Sequence, residues 1–293
     1  MATTECGAGY CAEVFEVPFD RVHHFARIRI GLPDGASARF LVDTGIGITI
    51  VSTGLARSCD FIKTGDSYTG HRMSGQAVEV PLVELPSLEL RSASPAAASG
   101  GFAVVSGLAG IADLGATDGP EGFDGIIGLD LLGELILTID PFRSVVGLGA
   151  LPASAGAPQI DVPVRVRRDG PAVDLRTDLQ LPDGTVTEVE IDTGSAATIL
   201  DDRFMKSCAV DGTERGRRTD EGIDETGHDY VRRFVPIEGD ISIATAPETV
   251  LRGPTVMFQD IALNGLIGTE FLDRYVQTYD IGRGVMALTT PVT

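Results

Sequence analysis

The chain has 293 residues and carries 42 Asp and Glu against 23 Lys and Arg, a formal charge of −19. Nucleic acids and anionic membrane surfaces are gripped mainly by clustered Lys and Arg, so this balance argues against both as partners. With 43% hydrophobic residues the chain can bury a real core, which excludes wholesale disorder, and its length predicts two domains.

In chain order, residues 1–14 read as a tail. They lack the basic start and apolar stretch of a secretory signal, so a cytoplasmic location is the expectation. Cys6 and Cys11 leave two readings, a pair in an oxidising compartment or two free thiols. Four cysteines are too few for a disulfide framework, which favours the thiols. His23 and His24 fall in the first strand region without a Cys or Glu cluster beside them, and no metal or cofactor is expected. Residues 26–30 and 38–42 read as strands of a hairpin whose corner is Asp34-Gly35. Asp43-Thr44-Gly45 follows, then a short helix carrying Cys59, whose thiol reads as structural.

Tyr68-Thr69-Gly70-His71 has turn chemistry, and Ser74-Gly75 is an equally good tip for a hairpin there. In 92–112, four Ser, four Gly and a Pro are too polar and broken for a membrane span. That segment reads as a loop with one short strand over 102–105. Ile126-Ile127-Gly128 leads into a short helix over 128–133, with Asp130 in its first turn, where a carboxylate is favoured. LPASAGAPQ, residues 151–159, has the composition of a linker.

Beyond the linker the chain repeats itself. Shifted by 149, residues 32–59 lie on 181–208 without gaps, with 11 of 28 positions identical. Shifted by 140, residues 123–148 lie on 263–288 with 9 of 26 identical. About two identities are expected by chance in such a window, so the chain is read as a duplication. The copies are placed at 15–150 and 160–293, mostly in short strands with few short helices, an all-β fold.

Duplication keeps structural acids as well as reactive ones, so the repeated carboxylates are sorted by surroundings. Asp34 and Asp183 sit in turns, and Asp140 and Asp280 end strands, where they satisfy local backbone groups. Asp43 and Asp192 each follow an apolar strand, FLV or VEI, and precede Thr-Gly and a second apolar run. A buried charge there is costly without a partner, and no neighbouring Lys or Arg supplies one. Matching aspartates facing each other across the lobe interface resolve this by sharing a proton. Two carboxylates about 3 Å apart repel by roughly 5 kcal/mol at an effective dielectric of 20, so the pair ionises in separated steps. The singly protonated pair holds a base and an acid at once, which peptide hydrolysis requires.

These residues resemble the aspartic peptidases, specifically retropepsin-like bacterial members. The pattern of apolar strand, Asp-Thr-Gly and a later apolar-apolar-Gly occurs twice: Asp43-Thr44-Gly45 with Ile126-Ile127-Gly128, and Asp192-Thr193-Gly194 with Leu266-Ile267-Gly268. The resemblance covers both copies nearly end to end. It implies a bilobal aspartic-protease fold of two retropepsin-like β-barrel lobes, with Asp43 and Asp192 as catalytic pair. It further implies that Thr44 and Thr193 bond across the interface, that Gly45 and Gly194 permit tight turns, and that Ser195 contacts the neighbouring carboxylate. Copy one departs from the pattern, with Ile46 where a Ser or Ala is usual. Asp43 then lacks a contact that Asp192 keeps, which makes Asp192 the expected ionised partner. The family's flap suggests Tyr68, Thr69 and Gly70 in copy one, and Thr226 and Gly227 in copy two, as substrate-contacting residues. With both aspartates in one chain, a monomer acting on polypeptide is the expectation. The competing reading is a non-catalytic peptide-binding or scaffold protein that keeps the fold, which Ile46 favours.

Overall fold

The computed structural model describes residues 15–91, 102–115, 119–149, 158–223 and 229–290. Cys6, Cys11, linker residues 151–157 and the Thr226-Gly227-His228 turn lie outside them. The described residues form strands almost throughout, arranged in two large sheets, with short helices only, none long and apolar enough to cross a membrane.

Each copy builds the same core motif. Strand Ser37–Val42 enters the first lobe, Gly125–Ile127 runs parallel beside it, and Ile50–Ser52 pairs antiparallel with Gly125–Ile127 on the other side. In the second lobe Val186–Ile191, Gly265–Ile267 and Ile199–Asp201 repeat that order and those directions. The two entering strands share one burial pattern, alternating at first and then buried on both faces over Leu41-Val42 and Glu190-Ile191. That is the pattern of a strand passing from a sheet face into a sheet centre. Each strand delivers its Asp-Thr-Gly into the interface between the lobes.

The lobes are joined by six antiparallel strands in the order Gln159–Pro163, Val285–Thr289, Val276–Asp280, Leu137–Asp140, Val145–Leu148 and Phe15–Val22. At its centre Thr138 pairs with Thr278, their hydroxyls 3.0 Å apart. Phe15–Val22 bends between layers, pairing first with Val145–Leu148 and then with Phe25–Gly31.

Three local readings change. The short strand expected over 102–105 extends over Phe102–Ala112, pairing with Ala77–Arg91 on one side and Ile50–Ser52 on the other. Its glycines are spacers rather than breakers: a Cβ on Gly110 would come within 2.7 Å of Ile50 and Val80 side chains. His23 and His24 form the turn after Phe15–Val22, not part of a strand, and His23 takes a positive φ of 54°. Cys59 caps helix Thr53–Ser58 from outside, while Cys208 closes a 3₁₀ turn and is buried, which pushes its thiol up to about 12. A thiol held protonated in that way is structural.

The turn acids behave as their positions predict. Asp34 accepts from Ala36 N (2.9 Å), Asp183 from Thr185 N (2.8 Å), Asp140 from Phe142 and Arg143 N (3.0 Å each), and Asp280 from Arg283 N (3.0 Å). Asp130 does more than favour a helix start. Its carboxylate accepts from Thr49 N (2.8 Å) and Thr49 Oγ1 (2.7 Å), tying helix Leu129–Leu132 to the strand after Asp43.

Candidate active site

Asp43 and Asp192 meet at the lobe interface. Each main-chain N–H donates to the apolar-apolar-Gly strand beside it, Asp43 N to Ile127 O (3.1 Å) and Asp192 N to Ile267 O (3.0 Å). Those bonds aim both side chains inward, and the carboxyl groups lie within hydrogen-bonding reach of each other. Thr44 N donates to Thr193 Oγ1 and Thr193 N to Thr44 Oγ1, both at 3.0 Å. The hydroxyls continue onward, Thr44 Oγ1 to Ile191 O (2.8 Å) and Thr193 Oγ1 to Val42 O (3.4 Å). Each threonine thus satisfies two backbone groups of the opposite lobe, in a buried place where unmet groups would be expensive.

Gly45 N donates to Asp43 Oδ1 (2.8 Å) and Gly194 N to Asp192 Oδ1 (2.7 Å). Neither glycine can carry a side chain, because a Cβ on Gly45 would sit 2.5 Å from Asp192 Oδ1 and one on Gly194 would overlap the Asp43 carboxylate. The backbone of each loop therefore lies directly against the carboxyl of the other.

Burial raises both aspartates above the ordinary carboxylate range. For Asp43 this is opposed by N–H bonding from Gly45, by the Asp192 carboxyl, by Gly194 N–H and by the charge of His24. For Asp192 it is reinforced by the charge of Asp43 and then of Glu190. One proton shared between the two carboxyls is therefore favoured, and the contact expected to single out Asp192, from Ser195, is not formed. The reason is local: Ser195 Oγ donates to Ala197 O (3.0 Å) instead of a carboxylate. Ile46 turns into an apolar cluster with Ile48, Ile50, Val80, Leu82 and Tyr68.

Glu190 and His24 are the neighbours that sequence reasoning passed over. Glu190 is buried two residues before Asp192 and 3.1 Å from Arg176, and burial, with the charges of Asp174 and Asp43, pushes it up to about 7 against the pull of Arg176. The signal was present, since the duplication places Glu190 on Leu41. His24 reaches from its turn to the Gly194 carbonyl, 2.8 Å from Nε2. Nothing in its spacing announces that contact.

The hairpin of strands Ile62–His71 and Ala77–Arg91 crosses the interface. Its tip is Arg72 to Gln76, with Gly75 at φ 82°, so Thr69, Gly70 and His71 lie on the ascending strand instead of the turn. Thr69 is exposed, whereas Tyr68 packs into the Ile46 cluster. At the tip Met73 packs on Ile199, Met257, Ile261 and Leu266 of the other lobe, and Ala262 N donates to Met73 O (2.9 Å).

No protein-family model matches this sequence, and no curated protein matches it. Among solved structures the chain is similar to basic 7S globulin from soybean, at 10% identity and a TM-score of 0.54, covering 95% of this chain and 94% of that one. At that identity the likeness shows the fold: a pepsin-like, bilobal, mostly β architecture with few short helices.

Proposed function

We propose that the chain is an aspartic endopeptidase. The observation that carries this reading is the pair Asp43 and Asp192, held within hydrogen-bonding reach in a buried interface by crossed threonine bonds, where burial raises both carboxyls and favours a shared proton. Asp43, ionised, takes a proton from a water as the water oxygen attacks the peptide carbonyl carbon. Asp192 gives its proton to the carbonyl oxygen, so the tetrahedral intermediate forms as a neutral diol. Asp43 then passes its proton to the amide nitrogen, the C–N bond breaks, and a diol hydroxyl returns a proton to Asp192. Acid and base are back where they began.

The apolar clusters around Ile46 and Tyr68 on one side and around Ile199, Met257 and Leu266 on the other support a preference for apolar side chains flanking the cleaved bond. A second reading, a non-catalytic peptide-binding protein, draws support from the Ile46 departure and from a matched structure that is named as a globulin.

Incubation with an unbiased peptide mixture from about pH 3 to 7 separates the readings. Cleavage by wild type that falls at least about 10³-fold in kcat/KM in both Asp43→Asn and Asp192→Asn supports the enzyme. Peptide binding without cleavage by wild type supports the second reading, and cleavage unaltered in the variants rules out this site.

A further inference from the structure

Each lobe sends the turn of its first hairpin across the interface to the other lobe's aspartate loop. From the second lobe the hydrogen bond is main chain to main chain, Val173 N donating to Gly47 O (2.9 Å), and the two turn residues, Gly170 and Pro171, carry no ionisable side chain. From the first lobe the contact is a side chain, His24 to Gly194 O. A carbonyl can only accept, so Nε2 carries the hydrogen. The turn is secured around it: Arg21 donates to the His24 carbonyl and pairs with Asp273 of the second lobe (2.7 Å). The His24 ring lies against Phe25, centroids 4.0 Å apart. The imidazole is thereby fixed at the one loop whose Gly194 backbone touches the Asp43 carboxylate.

We propose that His24 is a positioning residue for the aspartate pair: its imidazole, bonded to the Gly194 carbonyl, holds the loop that lies against the Asp43 carboxylate and, when protonated, sets a positive charge beside the pair. The inference rests on the reading of Asp43 and Asp192 as an acid–base pair. Imidazole is the side chain that gains charge between neutral and mildly acidic conditions. The groups around it are named readily. Asp43, Asp192 and Glu190 are the acids of the pair and its approach strand, and Arg21 and His23 belong to its own hairpin, where they face Asp273 and Glu121. The charge of His24 is among the influences that lower Asp43.

The test uses two variants. His24→Gln keeps an N–H donor for Gly194 O and removes the charge; His24→Ala removes both. In protein labelled with ¹³C at aspartate carboxyls, with the pair's signals identified by their loss in Asp43→Asn and Asp192→Asn, the first ionisation of the pair is followed by NMR. The expected result is an upward move of about one pH unit in both variants, equal to about tenfold in the ionisation constant, with the acid limb of kcat/KM following it. His24→Ala is also expected to lower Tm, and if it fails to fold the Gln variant decides. An unchanged midpoint in folded variants overturns the proposal. So does a rise in kcat/KM at every pH without a shift, which would make His24 a plug over the carbonyl. If the wild type cleaves nothing, the carboxyl titration still judges His24 apart from the proposed activity.

Discussion

Glu190 occupies a position where the duplicated strand carries leucine, and the substitution of a carboxylate for an aliphatic chain at a buried site is costly unless something is gained. Its folded value near 7 lies above the ordinary one of 4.5, so folding takes up a proton and the stability it contributes is present below about 4.5 and lost as pH rises through about 7. That loss is on the order of 3 kcal/mol. Glu190→Leu is expected to flatten the fall of unfolding free energy between pH 5 and 8, read by urea titration at each pH. The crossed threonines give a second expectation at this scale. Thr44→Val and Thr193→Val each leave a buried N–H and a buried carbonyl of the opposite lobe unmet and should each cost about 1–3 kcal/mol in unfolding free energy, read by urea titration. The pair of aspartates and both threonines were legible in the sequence because the repeat marks them twice. The contacts that make their surroundings unequal were not, since they depend on which acceptor the Ser195 hydroxyl chooses and on a histidine brought in by a turn.

At the scale of elements, the crossing hairpin shows how far pattern alone reaches. Ser74-Gly75 and Tyr68-Thr69-Gly70-His71 carried equal turn chemistry, and the choice between them is made by cross-strand pairing from Ser67↔Pro81 to His71↔Ala77, which leaves only Arg72 to Gln76 to close the turn. Likewise 102–112 looked like a loop because its small residues were read without the Ile50 and Val80 side chains they make room for. The docked tip should open when its apolar contact is removed. Met73→Ser forfeits about 1–2 kcal/mol of burial, so hydrogen exchange at the Ala262 amide, whose partner is the Met73 carbonyl, should quicken by about tenfold while Tm changes little.

For the whole molecule the buried acids act together. Asp130, raised to about 6 by burial against its Thr49 bonds, adds to Glu190 and Asp192, and all three favour folding with a proton bound. In the other direction, Asp20 and Asp178 are held below the ordinary range by their bonds to Arg27 and Arg165, so what they contribute is present at higher pH and lost in strong acid. The net charge of −19 adds self-repulsion as pH rises. Calorimetric Tm is therefore expected to peak between about pH 4.5 and 6 and to fall toward pH 8; a maximum at pH 8 would contradict these assignments. The shared six-stranded sheet further predicts one unfolding transition for both lobes instead of two.

Thr138 touches Thr278, which is its own duplicate at a shift of 140, and Thr44 exchanges bonds with its duplicate Thr193. A residue that meets its own copy marks a two-fold axis, the signature of an isologous contact between identical subunits. The chain is thus a symmetric dimer made continuous. In a true homodimer every feature comes in pairs: a second His24 would stand by the other aspartate, a second Glu190 opposite it, and the two carboxyls would be equivalent. Only after fusion can an imidazole and a buried glutamate each appear once, both at the Asp192 loop, so covalent linkage is what permits the two carboxyls to differ.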